Sequence, residues 1–304
     1  MSRIALVSHG LTDPAFSDDD LPFLVDGFAN AGVDARVVLW TDPSANWRDF
    51  DLVIIRSPWD YPARAAEFLT WLDRVASVVP VLNTPAVIRW NIDKVYLRDI
   101  AAVSDVPLVP TIFCTTIEEV HAAVSGLGSA RLVVKPSVSA GSQNTGLFDS
   151  GDAAATELAA HILDIGKTVM VQPAIEGVQE RGEHALLYFD GRFSHAISKG
   201  PLLAVGGGLL GGAYAETIES IDAHPAERAI GDALISAATR VLVRHGLSDS
   251  DALPLYARID IVHDPELGPL VLEAELFEPS LFIGWDPSAG ARFVAAVLQR
   301  LTHI

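Results

Sequence analysis

The stretch LYARIDIVHDPELGPLVLEAEL, residues 255–276, decides the fold of this chain. Residues 265–268 make a four-residue turn, and the runs on both sides alternate with period two, which predicts a β-hairpin. Successive side chains of a strand point to opposite faces, so residues paired across the hairpin share a face. The charged pairs predicted to project from one face are Arg258 with Glu275 and Asp260 with Glu273.

The other face of this hairpin is apolar and is predicted to enter a core. Its members are Ile259, Ile261, Leu272 and Ala274. On the charged face, the carboxylates of Asp260, Glu273 and Glu275 would repel each other unless a cation lay among them, and an all-oxygen cluster suits Mg²⁺. A half-solvated hairpin with two salt bridges is the alternative, and this segment alone does not decide between them.

Composition and charge limit the class of protein. With 304 residues, 50% of them hydrophobic and 20% charged, the chain has the profile of a soluble globular protein with two or three packed units. No apolar run reaches transmembrane length, and the N-terminus lacks a secretory pattern. The single cysteine, Cys114, rules out an internal disulfide and indicates a reducing, cytoplasmic location.

The net charge of −18 argues against nucleic acid or an anionic membrane as partner. An anionic ligand must therefore be held by a few local cations, and lysines are scarce enough for their positions to be informative. The lysines are Lys94, Lys135, Lys167 and Lys199. We expect Lys167, in a turn, to be solvated, whereas the other three fall in segments with functional patterns.

The first ninety residues alternate strand and helix, which predicts a parallel sheet with helices on its faces. Ligands bind at the carboxyl ends of such strands. The polar, aromatic loop RSPWDYP, residues 56–62, follows the third strand. We interpret Arg56 as a contact for a substrate carboxylate. The alternative is a helix-capping connection, because both prolines of the loop favour turns.

Three further segments have the features of a nucleotide site. Lys135 ends a strand and is followed by a small-residue loop, residues 136–146, whose backbone N–H groups could approach phosphate oxygens. Residues 170–187 cross between two units and could offer backbone groups to a flat heterocycle, with Glu183 near sugar hydroxyls. The glycines at 206, 208 and 211 predict a mobile lid with Lys199 at its hinge. A flexible loop and a domain linker are the alternatives for the first two.

In order and approximate spacing, these motifs resemble the ATP-grasp superfamily, and in particular carboxylate–amine ligases such as D-alanine–D-alanine ligase and glutathione synthetase. The resemblance implies a mixed α/β and α+β fold with an N-terminal parallel-sheet domain. The predicted domains are residues 1–88, 89–172 and 173–304, the last two being the ATP-grasp lobes. The implied cofactors are ATP and one or two Mg²⁺ ions, with Mn²⁺ as an alternative metal.

The resemblance also implies a role for each motif residue. Phosphate contacts are implied for Lys94 and Lys135, and a cover over the phosphates for Ser139, Gly141 and Ser142. Adenine contacts are implied for Gln172 and Ile175, and a ribose contact for Glu183. Metal ligation is implied for Asp260, Glu273 and Glu275, and catalytic roles for Arg258 and Lys199. Glu275 departs from the superfamily pattern, in which the last ligand is often Asn.

Within the superfamily, RSPWDY, Asn-x-Asp-Lys (residues 91–94) and ELFEPSLF (residues 275–282) are similar to a branch of glutathione-synthetase-like ligases. That branch includes a ligase that cyclises O-ureido-D-serine to D-cycloserine. The resemblance implies a small amino-acid-like substrate contacted by Glu278, Ser280 and Arg56. It also implies activation of a carboxylate as an acylphosphate, followed by capture by an amine nitrogen. An intermolecular amino-acid or peptide ligase and an ATP-grasp kinase are the alternatives.

Two other classes are disfavoured. A nucleotide-binding regulatory protein without catalysis would lose the metal acids or Arg258, and all are present. A nicotinamide-dependent oxidoreductase would need a glycine fingerprint after the first strand, where the sequence is SHGLTDP, residues 8–14. The sequence leaves the subunit count open, with a homo-oligomer as one possibility.

Overall fold

A computed structural model describes residues 2–13, 16–210 and 216–302. The N-terminal part contains a four-stranded, wholly parallel sheet with strand order β2-β1-β3-β4. Its strands are β1 (Arg3–Ser8), β2 (Asp34–Leu39), β3 (Leu52–Ser57) and β4 (Val81–Leu82). The helices of this part are α1 (Asp20–Asn30), α2 (Ala65–Ala76) and α3 (Pro85–Asn91). The predicted alternation of strand and helix is confirmed.

A second sheet, antiparallel throughout, has the order β5-β8-β6-β7. In chain order this part contains α4 (Tyr96–Val103), β5 (Ile112–Cys114), α5 (Ile117–Gly126), β6 (Arg131–Pro136), β7 (Gly146–Asp149), α6 (Ala153–Asp164) and β8 (Val169–Pro173). Helices α5 and α6 cover one face and bury Cys114. Helix α4 packs instead on the third part of the chain.

A third, five-stranded antiparallel sheet contains the charged hairpin at one edge, in the order β11-β10-β9-β12-β13. In chain order its elements are α7 (Gly177–Arg181), β9 (Glu183–Phe189), β10 (Arg192–Lys199), β11 (Ile218–Ile221), α8 (Pro225–Arg244), α9 (Asp249–Ala252), β12 (Tyr256–Asp264), β13 (Gly268–Glu275) and α10 (Ala289–Leu301). The hairpin is β12–β13, as predicted. The predicted pairs, Arg258 opposite Glu275 and Asp260 opposite Glu273, are also confirmed.

One face assignment within the hairpin is wrong. The register shifts after Asp260, so that Ile261 pairs with Val271. Because a bulge moves the following residues to the other face, Val271 enters the core with Ile259 and Ile261, and Leu272 lines a cavity instead. Side-chain alternation alone cannot reveal such a shift.

The hairpin is anchored to the N-terminal sheet by Asn83, which follows β4 and is buried. Its side-chain amide donates to the carbonyl of Tyr256 over 3.0 Å, and its oxygen accepts the N–H of Leu255 over 2.5 Å. The hydroxyl of Tyr256 lies within hydrogen-bonding distance of the carbonyl of Ile55 on β3 and, at 2.9 Å, of the carbonyl of Phe277. These bonds fix the base of the hairpin relative to the carboxyl ends of the parallel strands.

The predicted fold class, α/β with α+β lobes, is confirmed by one parallel and two antiparallel sheets. The domain boundaries after residues 88 and 172 stay a prediction. Among the described residues, no helix is long and apolar enough to span a membrane.

Candidate active site

A cavity of about 550 Å³ lies between the second and third sheets. Strands β6, β7 and β8 form one wall, and β9, β10 and the hairpin form the other. The predicted site residues that line it are Lys94, Lys135, Ser139, Gly141, Ser142, Gln172, Ile175, Glu183, Lys199, Arg258, Glu273 and Glu275. Residues from motifs far apart in the sequence are therefore brought to one place.

Asp260 lies below the cavity surface and is fully buried. Arg258 binds it in a bidentate manner, with both nitrogen–oxygen distances at 2.9 Å, and also reaches Glu275 Oε1 over 2.7 Å. Carboxylate oxygens of Asp260, Glu273 and Glu275 lie within 4.8 Å of one another. The three predicted metal ligands thus form an all-oxygen group of the kind that Mg²⁺ prefers.

The charges of this group are set by burial and by neighbours. Burial opposes ionisation of Asp260, but Arg258 and Lys199 outweigh it and hold the pKa of Asp260 well below its usual range. Burial raises the pKa of Glu275 to about 7, and the nearby negative charges of Glu273 and Asp260 add to the effect against the attraction of Arg258. Crowded carboxylates of this kind are stabilised by an added cation.

Two lysines lie on the side of the cavity that the loop of residues 136–146 forms. Lys94 Nζ is 3.5 Å from Glu273 Oε2 and donates to the carbonyl of Ser139 over 3.2 Å. Burial disfavours the charge of Lys94, yet Glu273 and the acids near it raise its pKa. Burial, with the positive charge of Lys94, lowers the pKa of Lys135 despite the attraction of Glu273. Both side chains are positioned to face an anion in the cavity.

Lys199 ends β10 and joins two predicted ligands. Its Nζ is 3.0 Å from Glu183 Oε2 and 2.8 Å from Asp260 Oδ2. The lysine thus occupies the space between the expected ribose contact and the expected metal ligand. Lys167 differs from its prediction: it is half-buried, and its Nζ donates to the carbonyl of Val138 over 2.9 Å, in the loop of residues 136–146.

Gln172 and Ile175 form the far wall of the cavity. The amide of Gln172 donates to Thr111 Oγ1 over 2.8 Å, so Thr111 fixes its orientation. Thr111 lies in the extended segment before β5 and was not singled out in the sequence. Only the spatial pairing of β5 with β8 brings it near Gln172.

The predicted lid is a small hairpin docked on the second sheet. The N–H groups of Gly206 and Gly207 both donate to the carbonyl of Leu147 on β7, over 2.8 and 3.1 Å. Both glycines have positive φ, and a Cβ on Gly207 would lie 3.1 Å from the ring of Phe148. The lid covers the cavity at Leu202 and Leu203. Gly211, the last glycine of the predicted motif, lies outside the described residues.

A second cavity of about 430 Å³ adjoins the first and shares Gly141, Arg258 and Glu275 with it. Two predicted substrate residues, Glu278 and Ser280, line it. Its walls are rich in aromatic and acidic side chains. These are Phe16, Phe23, Trp59, Phe282 and Trp285, with Asp19, Asp20 and Glu216.

Glu278 is held in this second cavity by the loop of residues 56–62. The hydroxyl of Tyr61 donates to Glu278 Oε1 over 2.5 Å, and Trp59 Nε1 donates to the carbonyl of Glu278 over 2.9 Å. Burial and the charge of Glu275 raise the pKa of Glu278 to about 8. The loop therefore does contribute to the site, through Trp59 and Tyr61.

The prediction that Arg56 holds a substrate carboxylate is wrong. The arginine is fully buried, lines neither cavity, and lies 3.8 Å from Asp18 and 3.5 Å from Asp20. It also donates to the carbonyl of Pro279 over 2.9 Å. Arg56 lies within β3, and its guanidinium is directed at the two acids near the start of α1 instead of at ligand space.

A cleft between two antiparallel sheets, with lysines from both walls and three carboxylates on an edge hairpin, defines an ATP-grasp ligase. The sequence is 34% identical over 311 residues to the cycloserine biosynthesis protein DcsG of Streptomyces lavendulae, covering 99% of each chain. Residues 4–83 match the family model for the N-terminal domain of the D-cycloserine synthetase DcsG. The chain belongs to the DcsG family of ATP-grasp ligases.

Solved structures agree with this assignment. The crystal structure of D-cycloserine synthetase DcsG superimposes with a TM-score of 0.89 at 32% identity, covering 99% of this chain and 100% of that one. D-alanine–D-alanine ligase from Bacillus anthracis, complexed with ATP, gives a TM-score of 0.67 at 14% identity, covering 100% and 98%. The ligase PsnB, complexed with Mg and ADP, gives 0.63 at 17% identity, covering 97% and 98%. The last two matches concern the fold. The predicted membership of the ATP-grasp ligases is confirmed.

Proposed function

We propose that this protein uses ATP to close O-ureido-D-serine into D-cycloserine. The observation that carries the proposal is the full-length similarity to DcsG, whose name states cycloserine biosynthesis. The adjoining cavities support it, because a nucleotide in the first would present its phosphates to a small substrate in the second. Arg258 and Glu275 lie on the shared wall.

The residue roles follow from position. Lys94 and Lys135, both beside Glu273, would hold the phosphates under the loop that contains Ser139, Gly141 and Ser142. Gln172 and the backbone of Ile175 would bind adenine, and Glu183 the ribose, released from its contact with Lys199. Lys199 and Arg258 would then face the transferring phosphoryl group.

The donor set fits magnesium. Asp260, Glu273 and Glu275 offer only carboxylate oxygens, and these lie within 4.8 Å of one another. A bound Mg²⁺ would supply charge neutralisation at the phosphates. Arg258 already offsets part of the negative charge, and this supports occupancy by one ion, with a second ion or Mn²⁺ as the variants to test. The same three residues would bind the metal whether one Mg²⁺, two Mg²⁺ or Mn²⁺ is present.

The ring of the product closes in two bond-forming steps. A carboxylate oxygen of the substrate bonds to the γ-phosphorus as the bond from that phosphorus to ADP breaks. A nitrogen of the same molecule then attacks the activated carbonyl carbon, phosphate leaves, and the nitrogen loses its proton. Removal of the carbamoyl group, which D-cycloserine lacks, is a third step: water bonds to the carbamoyl carbon, the bond from that carbon to the ring nitrogen breaks, the nitrogen takes a proton, and the released carbamate decomposes to ammonia and carbon dioxide. The docked lid would protect the acylphosphate from hydrolysis in the meantime.

Glu278 and Ser280 are the proposed substrate contacts. The second cavity holds several acids and only one lining cation, Arg258, among the described residues. Such a surface favours a substrate that carries an ammonium group and directs its single carboxylate towards Arg258. A small amino acid has this charge pattern. A cytoplasmic location, where ATP is available, is a further part of the proposal.

The test is turnover of the purified protein with ATP, Mg²⁺ and O-ureido-D-serine, followed by ADP release and mass spectrometry. We expect D-cycloserine and ADP in equal amounts. Arg258→Ala and Asp260→Asn should each reduce turnover at least about 100-fold, because both alter charge at the phosphoryl group. Arg240→Ala, on the exposed face of α8, is the matched control and should retain full activity.

Other products would contradict the proposal in distinguishable ways. An amide between two amino acids would indicate an intermolecular ligase, and a stable phosphorylated product would indicate a kinase. ADP release that does not depend on O-ureido-D-serine, together with no D-cycloserine, would reject the cyclisation itself.

A further inference from the structure

A cluster of two histidines and one glutamate lies outside the nucleotide site. His184 on β9 and His263 on β12 both contact Glu227, in the first turn of α8. Glu227 Oε1 is 2.6 Å from His184 Nδ1 and 3.0 Å from His263 Nε2. The ring centroids of the two histidines are 4.8 Å apart. Strands β9 and β12 thus each supply one imidazole nitrogen, and α8 supplies one carboxylate oxygen, all close together.

This cluster is on the back of the third sheet. Side chains alternate along a strand, so His184 faces away from the cavity that its neighbour Glu183 lines. In the same way, His263 follows Val262, which lines the cavity from β12. None of the proposed roles in ATP binding or ligation uses the cluster.

The donor set suits a borderline transition metal. Two imidazole nitrogens and one carboxylate oxygen form a common zinc ligand set, with metal–ligand distances of about 2.0–2.2 Å. The three candidate donor atoms already lie within 4.8 Å of one another. The histidine side chains retain 21% and 15% of their exposure, which leaves an open side for a water ligand and for entry of the ion.

The ionisation states favour a cation here. Burial opposes the charge of Glu227, yet hydrogen bonds from His184 and from the N–H of His224 lower its pKa. Burial also lowers the pKa of His263, against the attraction of Glu227. Arg181 is the opposing charge near His263.

The cluster is fixed in place from behind. Glu227 Oε2 accepts the N–H of His224 over 2.6 Å, and this bond orients the carboxylate. His263 Nδ1 is buried and has no hydrogen-bond partner in the described parts of the chain. Ligation through Nε2 would place the ring proton of His263 on this buried nitrogen, at a cost of about 1–3 kcal/mol that metal binding must exceed.

We propose that His184, Glu227 and His263 bind one divalent transition-metal ion, with Zn²⁺ as the preferred ion, and that this ion joins α8 to the back of the sheet. Its effect is on stability, because it links three elements that are distant in sequence and would bind the folded state alone. ATP-dependent turnover does not require it.

The experiment is a calorimetric titration of the full-length protein with Zn²⁺. The protein is first saturated with Mg²⁺, which would occupy the carboxylates of Asp260, Glu273 and Glu275. We expect one equivalent bound and a rise in Tm of roughly 5 °C at a hundredfold excess of free Zn²⁺ over its Kd. His263→Gln and Glu227→Gln should each weaken binding more than tenfold. His121→Gln, at an exposed position on α5, is the matched control and should bind like the unmodified protein.

A direct readout guards against misfolded variants. X-ray absorption of the Zn²⁺-loaded unmodified protein should show two imidazole ligands. The carboxylates of Asp260, Glu273 and Glu275 cannot supply these, because they offer only oxygen atoms. His263→Gln should retain the turnover of the unmodified protein. Absence of binding, zinc with oxygen ligands only, or affinity unchanged in His263→Gln would each overturn the proposal. None of these outcomes bears on the cyclisation, which is assayed separately.

Discussion

Arg56 is a fully buried cation whose surroundings consist of acids rather than ligand space. Asp18 and Asp20 face its guanidinium, and the ring of Tyr256 lies 5.5 Å from it. Two buried carboxylates without their cation would be left uncompensated. The residue therefore stabilises the junction between the N-terminal sheet and the loop after the hairpin.

Replacement of this cation tests the corrected role. Arg56→Met should lower the free energy of unfolding by about 3–5 kcal/mol, measured by urea denaturation. Arg36→Met, which breaks the exposed pair with Asp34, should cost at most about 1 kcal/mol. A stable Arg56→Met protein with a raised substrate KM would restore the substrate-binding interpretation.

Glu278 provides a prediction of pH dependence. Its pKa rises from a usual 4.5 to about 8, chiefly because it is buried. Below pH 4.5 the carboxyl group is protonated in both folded and unfolded states. As pH rises from 4.5 to 8, the unfolded chain loses this proton first, so the folded state loses stability over that window.

The free energy of unfolding, measured as a function of pH in metal-free protein, should therefore differ between the unmodified protein and Glu278→Gln. Relative to the variant, the unmodified protein should lose up to about 1.4 kcal/mol per pH unit between pH 5 and 8. Glu266→Gln, at an exposed turn position, should follow the unmodified curve. Parallel curves for unmodified protein and Glu278→Gln would contradict the raised pKa.

At the scale of elements, the lid hairpin depends on backbone geometry that only glycine adopts easily. Gly206, Gly207 and Gly208 have φ of 91°, 94° and 78°. Side chains are strained in this region, by about 1–3 kcal/mol. Gly207 additionally packs against Phe148, so a methyl group there opposes docking on β7.

We expect Gly207→Ala to raise the KM for ATP roughly tenfold. The strain of about 1–3 kcal/mol opposes docking of the lid, and about 1.4 kcal/mol corresponds to a tenfold change in affinity. The unfolding temperature should change little, since the lid buries few core residues. Gly246→Ala is the control: Gly246 follows α8, has φ of 97° with open space around it, and neither it nor its sequence neighbours line the cavity. An unaltered KM in Gly207→Ala would show that docking does not contribute to nucleotide binding.

The hairpin illustrates how much local pattern determines. Turn position, strand pairing and the common face of its four charges follow from the sequence, because side-chain alternation is a property of any extended chain. The bulge after Asp260 does not, since it depends on how β13 fits against the segment around Leu108, which pairs with Val271. One displaced residue, Leu272, moved from core to cavity as a result.

At the scale of the whole molecule, the second cavity is assembled from the N-terminal and C-terminal parts of the chain, through the start of α1, the loop after β3 and the loop after β13. Asp20, at the start of α1, accepts the N–H groups of Leu281 and Ile283, each over 2.6 Å. Between them, Phe282 has φ of 51° and its ring lies 5.9 Å from the guanidinium of Arg258. Asp20 is thus a positioning residue for the cavity wall.

Asp20→Asn should loosen that wall without disturbing the nucleotide cavity. An amide offers one acceptor oxygen, so one of the two charge-assisted bonds is lost, at about 1.5–3 kcal/mol. We expect the KM for O-ureido-D-serine to rise at least roughly tenfold and the KM for ATP to stay constant. Asp26→Asn, on the exposed face of α1, serves as control. Equal rises in both KM values would argue for general destabilisation instead.

The sequence by itself determined the class of fold, the hairpin register at its charged end, and the identity of the lysines and acids in the cavity. These follow from local periodicity and from residue types whose chemistry is specific. Only the tertiary structure decided that Arg56 is buried, that Tyr61 and Trp59 hold Glu278, and that Thr111 orients Gln172. Each of these depends on contacts between segments 61 to 223 residues apart. Local pattern carries no information about such contacts, because the partner is set by how separate sheets pack.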